Sequence, residues 1–166
     1  MKRQKLTLLY TLAVLVLSAS VGFVKDTPMT KYKCMIQMRD YTGEGAYIVV
    51  SLLNPEGAYE KTLYVQGDDD EWYSYVDAWW EFYGKKRPSL DGITGATLSG
   101  GERSVCYLTI ATEKLDAGYT MRFESSVEDQ AYHKEDVSVP FQSKEFLKGA
   151  FEGSGFIRSV RIVPQF

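Results

Sequence analysis

The sequence predicts a mainly β protein, an immunoglobulin-like β-sandwich with one inserted aromatic helix. Several short segments rich in apolar and aromatic residues are separated by polar turns, which is typical of β-sandwiches. Aromatic residues make up 14% of the chain, and β-strands favour them. A single segment between the strands has its apolar side chains at helical spacing rather than in alternation. These three observations together predict the fold class.

The first 24 residues have the composition of an export signal. A positive stretch opens the chain: Lys2, Arg3 and Lys5. An uncharged apolar run follows over 6–17, and the small residues at 18–20 suit a signal peptidase. The uncharged run continues to Val24, which is near the lower limit for a spanning helix, so an uncleaved anchor is the alternative. Both interpretations predict one extracytoplasmic, periplasmic domain over residues 25–166.

Charge excludes one class of partner. The chain has 19 basic and 22 acidic residues. Removing the three N-terminal basic residues leaves 19 − 3 = 16 basic against 22 acidic, a balance of −6. An acidic domain without large basic clusters is not expected to bind nucleic acid.

Strands are predicted on both sides of the helix. Before it they cover 32–38, 46–53 and 59–65, and after it 103–111, 119–127 and 137–141. Pro55 and Gly57 lie where a type I or type II turn places them, so a turn is predicted at 54–57. The tail is predicted to form a short helix over 144–151 and a strand over 156–163.

One helix is predicted between the third and fourth strands. Its apolar side chains follow the i, i+3, i+4, i+7, i+8, i+11 pattern of one helical face: Trp72, Tyr75, Val76, Trp79, Trp80 and Tyr83. The acidic run at 68–70 supplies a cap, Gly84 and the basic cluster 85–87 suit the C-terminal end, and Pro88 prevents continuation.

The aromatic face has two interpretations. It either packs on a sheet as core, because each aromatic side chain buries roughly 150–250 Å², or it presents Trp79, Trp80 or Tyr83 as a stacking surface for a flavin. The basic cluster at 85–87 also has two interpretations. It either caps the C-terminal end of the helix or binds the phosphodiester of a flavin cofactor.

A motif with specific chemistry follows the helix at positions 91–99, with the sequence Asp-Gly-Ile-Thr-Gly-Ala-Thr-Leu-Ser. A Thr hydroxyl becomes a phosphoester only if an enzyme reaches it, so small neighbours and flexible glycines suit an acceptor loop. The alternative is a Gly-rich turn in which Asp91 and Thr94 bond to the local backbone.

This stretch resembles the attachment sequence in the flavin-carrying subunits of the sodium-pumping NADH:quinone reductase and of the Rnf complex. There an FMN transferase esterifies the last Thr of the motif with the phosphate of FMN. The resemblance implies that Thr97 is the acceptor and Asp91 the acidic determinant. Thr94, Gly95 and Ala96 would be the small residues that admit the transferase. After Leu98 the sequence departs from the Leu-Thr-Ser usual in those subunits.

The order of features across roughly 32–141 resembles a family of predicted periplasmic proteins of unknown function. Its members accompany membrane proteins of the PepSY type and FMN transferases, which the resemblance implies as partners. The expected function is that of a non-catalytic, exported electron carrier with FMN on Thr97. The alternative is a cofactor-free periplasmic β-sandwich that acts as a binding or accessory module of a membrane redox system.

The cysteines and the histidine exclude other chemistry. Cys34 and Cys106 are the only cysteines, and they are predicted to form either an inter-sheet disulfide or two buried thiols. Neither lies in a Cys-x-x-Cys motif, so thiol redox catalysis is not supported. His133, predicted in a loop, is the only histidine, which excludes His-rich metal sites and c-type haem attachment. The acidic run at 68–71 lacks the alternation of a calcium loop, so no metal site is predicted.

Overall fold

Nine strands form two sheets in the computed structural model, which describes residues 26–67, 69–86, 90 and 94–165. The strands are β1 (Met29–Met38), β2 (Tyr47–Leu53), β3 (Tyr59–Gln66), β4 (Thr94–Gly95), β5 (Arg103–Ala111), β6 (Thr120–Ser126), β7 (Tyr132–Pro140), β8 (Ala150–Glu152) and β9 (Ile157–Gln165). One sheet has the order β5-β1-β9-β8 and the other the order β4-β3-β2-β6-β7. The predicted mainly β sandwich is confirmed.

The principal core lies between the two sheets and follows from strand periodicity. In β1 every second side chain is buried, because successive side chains of a strand point to opposite faces. The inner face of β1 packs against strands of the other sheet, where these residues are buried: Ile48, Val50, Leu52, Met121 and Phe123. Leu108 and Ile110 of β5, in the same sheet as β1, are buried in the same core. All residues of β2 after Tyr47 are buried, so this central strand is covered on both faces.

Most predicted strand boundaries agree with the structure to within a few residues, and β5 matches 103–111 fully. The predicted turn at 54–57 is confirmed, with Asn54 Oδ1 accepting hydrogen bonds from the Glu56 and Ala58 backbone N–H groups at 3.1 and 2.8 Å. Two predictions are wrong. Strand β7 begins at Tyr132, so His133 lies in a strand and packs edge-on against Phe156. The tail helix is only a 3₁₀ turn, Glu145–Lys148.

The helical segment is divided in two. A 3₁₀ helix, Asp70–Tyr75, is followed by helix α1, Asp77–Lys86, and the chain leaves helical geometry at Val76, with φ −99° and ψ 71°. Asp69 caps the first part by accepting a hydrogen bond from the Glu71 N–H group. The predicted single helical face is therefore wrong in its first half. Residues 68 and 87–88 lie outside the described part of the chain.

Side-chain burial in the helical segment shows the consequence of that break. Tyr73, which the predicted face omitted, is buried, whereas Tyr75 is 42% exposed and stacks on Trp72 at 5.6 Å between ring centroids. Gly84 lies inside α1 and does not end it. The predicted apolar face is retained from Val76 onward.

Helix α1 packs on the outer face of the five-stranded sheet and forms a second core there. Val49 and Val65 of the sheet contact Tyr73, Val76 and Trp79 of the helical segment. Trp79 is fully buried, its Nε1 donates to Thr62 Oγ1 at 2.8 Å, and Tyr83 stacks on it at 4.7 Å. For Trp79, the interpretation as core is the correct one.

A buried carboxyl group on β6 lies beneath α1. Glu124 is fully buried and accepts hydrogen bonds from the hydroxyl groups of Tyr59 and Tyr132, while the Tyr132 hydroxyl accepts one from the Ala78 N–H group at the start of the helix. The Arg122 guanidinium lies 3.6 Å from the Glu124 carboxyl. Burial raises the pKa of Glu124 to about 7, against the opposing effect of the Tyr132 hydrogen bond, which favours the carboxylate.

We expect the free energy of unfolding to fall as pH rises from about 5 to about 8. Folded Glu124 keeps its proton until about pH 7, whereas the unfolded chain loses it near the ordinary glutamate pKa of about 4.3. Between these values the unfolded state binds fewer protons, so stability decreases with pH. The decrease should be up to about 3 kcal/mol, at about 1.4 kcal/mol per pKa unit. Urea denaturation across this range measures it.

The matched control is the neighbouring carboxyl. Glu124→Gln should flatten the pH dependence, since no group remains there to titrate. Glu135→Gln removes an exposed carboxyl that faces the same Arg122 and should retain most of the dependence, because Glu135 is the smallest of the causes that act on the pKa of Glu124. An equal slope in the native protein and in the Glu124→Gln variant would contradict the assignment.

The two cysteines are neighbours within one sheet. Cys34 on β1 lies directly opposite Cys106 on β5, and both are buried free thiols. The predicted inter-sheet placement is therefore wrong, because both cysteines belong to one sheet, and in the structure the two are free thiols. A hydrogen bond with Cys106, together with burial, raises the pKa of the Cys34 thiol. A raised thiol pKa disfavours the reactive thiolate, so the pair contributes packing.

Candidate functional site

The acceptor motif lies at one edge of the five-stranded sheet. Strand β4 begins the described part of the motif and pairs in parallel with β3, with Thr94 opposite Val65 and Gly95 opposite Gln66. Leu98 forms an isolated antiparallel bridge with Ala46 and is buried in the principal core. Asp91 lies outside the described residues. We refer to residues 94–99 as the acceptor loop.

The first half of the acceptor loop is held through its backbone by β3 and the residue after it. The Gln66 side-chain amide donates to the Ala96 carbonyl, and the Gly67 N–H group donates to the Gly95 carbonyl. Gln66 is itself oriented by Ser104, whose hydroxyl donates to Gln66 Oε1 at 2.9 Å. Because β3 and β5 belong to different sheets, this chain of hydrogen bonds fixes the loop relative to both.

The second half of the loop is held by Tyr41. Its hydroxyl donates to the Leu98 carbonyl and accepts a hydrogen bond from the Ala46 N–H group at 2.9 Å. The ring packs against Phe156, with 5.0 Å between centroids, and burial raises the pKa of Tyr41. Beyond Leu98, the Ser99 N–H group donates to the Glu102 carboxyl at 2.7 Å. Thr97 therefore lies between two anchored parts of the backbone.

The Thr97 side chain lies directly on Gly45. A Cβ atom added to Gly45 would be 2.4 Å from Thr97 Oγ1 and 2.7 Å from Thr97 Cβ, distances that no real pair of atoms adopts without movement. Only glycine leaves room for the threonine at this position. A corresponding restriction holds at Gly95, where an added Cβ would lie 2.4 Å from the Tyr64 hydroxyl oxygen.

Replacing Gly45 with alanine should therefore displace Thr97. We expect Gly45→Ala to cost roughly 1–3 kcal/mol of stability, the usual cost of overpacking a well-packed site. Combining it with Thr97→Gly should recover part of that cost, because the clashing side chain is gone. A double-mutant cycle by urea denaturation measures the coupling, and strictly additive effects would contradict the contact.

Exposure divides the acceptor loop residues. Thr94 and Ala96 are exposed, whereas Gly95 and Thr97 are half-buried. Within the described part of the chain, no side chain or backbone group forms a hydrogen bond with the Thr97 hydroxyl. Among the described residues, the contact that positions this side chain is the one with Gly45.

The aromatic residues proposed for stacking are not equivalent. Trp79 is fully buried and cannot offer a ring face to a ligand. Trp80 and Tyr83 are half-buried, with their rings tilted and 5.9 Å apart. Gly67 links the helical layer to the acceptor loop. The Tyr73 hydroxyl donates to the Gly67 carbonyl at 3.1 Å, and the Gly67 N–H group donates to the loop. Trp80 and Tyr83 remain the candidates.

Sequence reasoning missed the residues that hold the acceptor loop. The hydrogen bonds of Tyr41 and Gln66 to the loop join residues 57 and 30 positions apart in the sequence. Gly45 contacts Thr97 across the edge of the sandwich. No local motif marks them. Strand β3 carries a partial signal, because Gln66 is a buried polar residue at its end.

Comparison with known proteins identifies one family. A family model described as "Predicted periplasmic protein (DUF2271)" matches residues 29–159. No curated protein and no solved structure matches the chain. Within the described residues, no helix is both long and apolar enough to span a bilayer.

Proposed function

The chain belongs to the DUF2271 family of predicted periplasmic proteins, and on this premise we propose that it is an exported electron carrier with FMN esterified to Thr97. The observation that carries the proposal is the acceptor motif at a sheet edge, with a threonine hydroxyl that forms no hydrogen bond with the described residues. An FMN transferase would attach the cofactor. A membrane redox protein of the PepSY type is the proposed electron-transfer partner.

The arrangement around Thr97 suits covalent attachment in two ways. Gly95 and Ala96 leave the approach to the hydroxyl free of bulky side chains, and Ala96 is exposed. The hydrogen bonds to the carbonyls of Ala96 and Leu98 hold the backbone on both sides of Thr97. A tether that starts from a fixed backbone restricts where the flavin can lie, and such preorganisation reduces the entropy cost of ordering the cofactor.

In this proposal the protein supplies position and surroundings, while the flavin supplies the redox chemistry. The transferase would supply the FMN group from an activated flavin dinucleotide: the Thr97 oxygen would form the ester bond to the FMN phosphorus, the phosphoanhydride bond of the donor would break, the nucleoside monophosphate would leave, and the Thr97 proton would be released. Asp91 is the proposed acidic determinant for the transferase. Trp80 or Tyr83 would contact the ring system at the margin of the helical layer, and the basic cluster at 85–87 is the proposed partner of the phosphodiester.

Co-expression with an FMN transferase tests attachment. The purified protein should gain about 438 Da, the mass of FMN less water, and expression without the transferase is the control. Absorbance near about 450 nm should persist after denaturation, since a covalent flavin stays with the chain. An unmodified protein after co-expression would overturn the proposal and favour the cofactor-free periplasmic module.

A further inference from the structure

The outer face of the four-stranded sheet is strongly basic. Its three longer strands, β1, β5 and β9, contain no acidic residue. Glu152 on the short edge strand β8 is the one acidic residue of this sheet. Basic side chains line its outer surface: Lys31, Lys33, Arg103, Arg158 and Arg161. Apart from Glu152, every charged side chain in these strands is therefore positive.

The opposite side of the molecule is acidic. Five exposed acidic residues lie on the helical layer that covers the other sheet: Asp69, Asp70, Glu71, Asp77 and Glu81. The whole chain carries a formal net charge of −3, so the positive charge of the four-stranded sheet is not a general property of the protein. The outer face of the four-stranded sheet is therefore a local region of positive charge.

A cleft of about 550 Å³ crosses all four strands of the basic face. Arg103, Arg158 and Arg161 line it, together with the apolar side chains of Met35 and Val105. An apolar floor with arginines around it is the composition of a protein-binding surface, in which arginine and exposed apolar groups are enriched. We call this recess the arginine cleft.

The three arginines have no acidic partner among the described residues. The Arg103 guanidinium donates to the neutral side chain of Gln37. A guanidinium presents a planar set of donors that matches a carboxylate in bidentate geometry. Three guanidinium groups without an ion-pair partner among the described residues therefore surround one recess and can donate to carboxylates.

We propose that the arginine cleft binds the carboxylate side chains of an acidic polypeptide partner. Tyr107 and Val105 are 50% and 52% exposed beside it, which provides apolar contact area for such a partner. A second copy cannot bind through the same face, because like charges would meet. A lipid bilayer presents a surface without side chains that enter a recess. The proposal does not depend on flavin attachment and goes beyond the proposed function.

A short fluorescein-labelled polyglutamate peptide is the probe, and fluorescence anisotropy reports its binding. The native protein should bind it at low ionic strength and release it at about 0.3 M salt. Arg103→Glu combined with Arg161→Glu should weaken binding by about tenfold or more, because attraction becomes repulsion. Lys61→Glu combined with Lys144→Glu makes the same charge change at exposed positions outside the cleft and should alter binding less than about twofold.

A conservative pair refines the test. Arg103→Lys with Arg161→Lys keeps the charge and removes the planar donors, so binding should fall to an intermediate level. Equal weakening by the two charge-reversal pairs would overturn the proposal, since only net charge would then matter. Absence of peptide binding at low ionic strength would overturn it as well, as would tighter binding to phosphatidylglycerol vesicles than to the peptide.

Discussion

Thr97→Ala should abolish the covalent gain of FMN completely, because the variant has no hydroxyl to esterify at that position. The protein should keep its fold, since the side chain is half-buried and the change removes only a methyl group and a hydroxyl that the described residues leave without a hydrogen bond. Intact-mass measurement after co-expression with an FMN transferase gives the result directly, and a thermal melt confirms the fold.

Two further substitutions locate the acceptor. Thr94→Ala removes an exposed hydroxyl three residues earlier and should leave modification unchanged, whereas Thr97→Ser retains a hydroxyl and should allow at least partial modification. A mass gain that persists in Thr97→Ala and disappears in Thr94→Ala would move the site to Thr94. Persistence in a double variant, Thr94→Ala with Thr97→Ala, would refute attachment to either threonine.

Trp79→Ala should destabilise the domain by roughly 3–5 kcal/mol, the usual cost of truncating a fully buried tryptophan. The side chain is 0% exposed, Tyr83 stacks on it, and its Nε1 is a donor to Thr62. Truncation leaves a cavity and a buried hydroxyl without a partner. This loss is a large share of the 5–15 kcal/mol typical of whole domains, so a urea denaturation curve will detect it readily.

Trp80→Ala is the matched control, since it removes the same side chain one position later where the residue is half-buried. It should cost clearly less stability. In flavinylated protein it should instead change flavin fluorescence, if its indole contacts the ring system. Equal destabilisation in both variants with unaltered fluorescence would leave α1 a purely structural element. The double variant Trp79→Phe with Thr62→Val removes both partners of the hydrogen bond and leaves a smaller cavity. Comparing its stability with that of Trp79→Ala separates the cost of the cavity from the cost of the unpaired Thr62 hydroxyl.

The strands could be predicted because their signal is local. In β1 alternate residues face the core, and in β5 the predicted and observed bounds coincide. The helical segment was harder, because its first turn is 3₁₀ and rotates Tyr73 inward in place of Trp72 and Tyr75. Tertiary packing, with Tyr73 held edge-on against Trp79 at 5.2 Å, decided that orientation. The spacing of apolar residues in the sequence does not predict this orientation of Tyr73.

The candidate site divides in the same way. A contiguous motif marks three of its residues in the sequence: Gly95, Ala96 and Thr97. Tyr41 and Gln66 could not be found in this way, because they donate to backbone carbonyls of the loop, which every residue has. The cysteine pair shows a related limit. Both residues could be placed in strands, but which sheet each strand joins depends on the register between β1 and β5. Long-range pairing of this kind has no short-range signal.

The parallel pairing of β4 with β3 has a consequence for solubility. Strand β3 would otherwise end the five-stranded sheet with unpaired backbone groups, and an open edge of this kind is a template for aggregation. The two paired residues of β4 cover part of that edge, and the hydrogen bond from Gly67 extends the cover by one residue. A modifying enzyme that pulled this segment away would expose the edge of β3 for as long as it stayed bound. Modification therefore has to proceed while β4 remains paired with β3, or while the modifying enzyme itself covers the edge of β3.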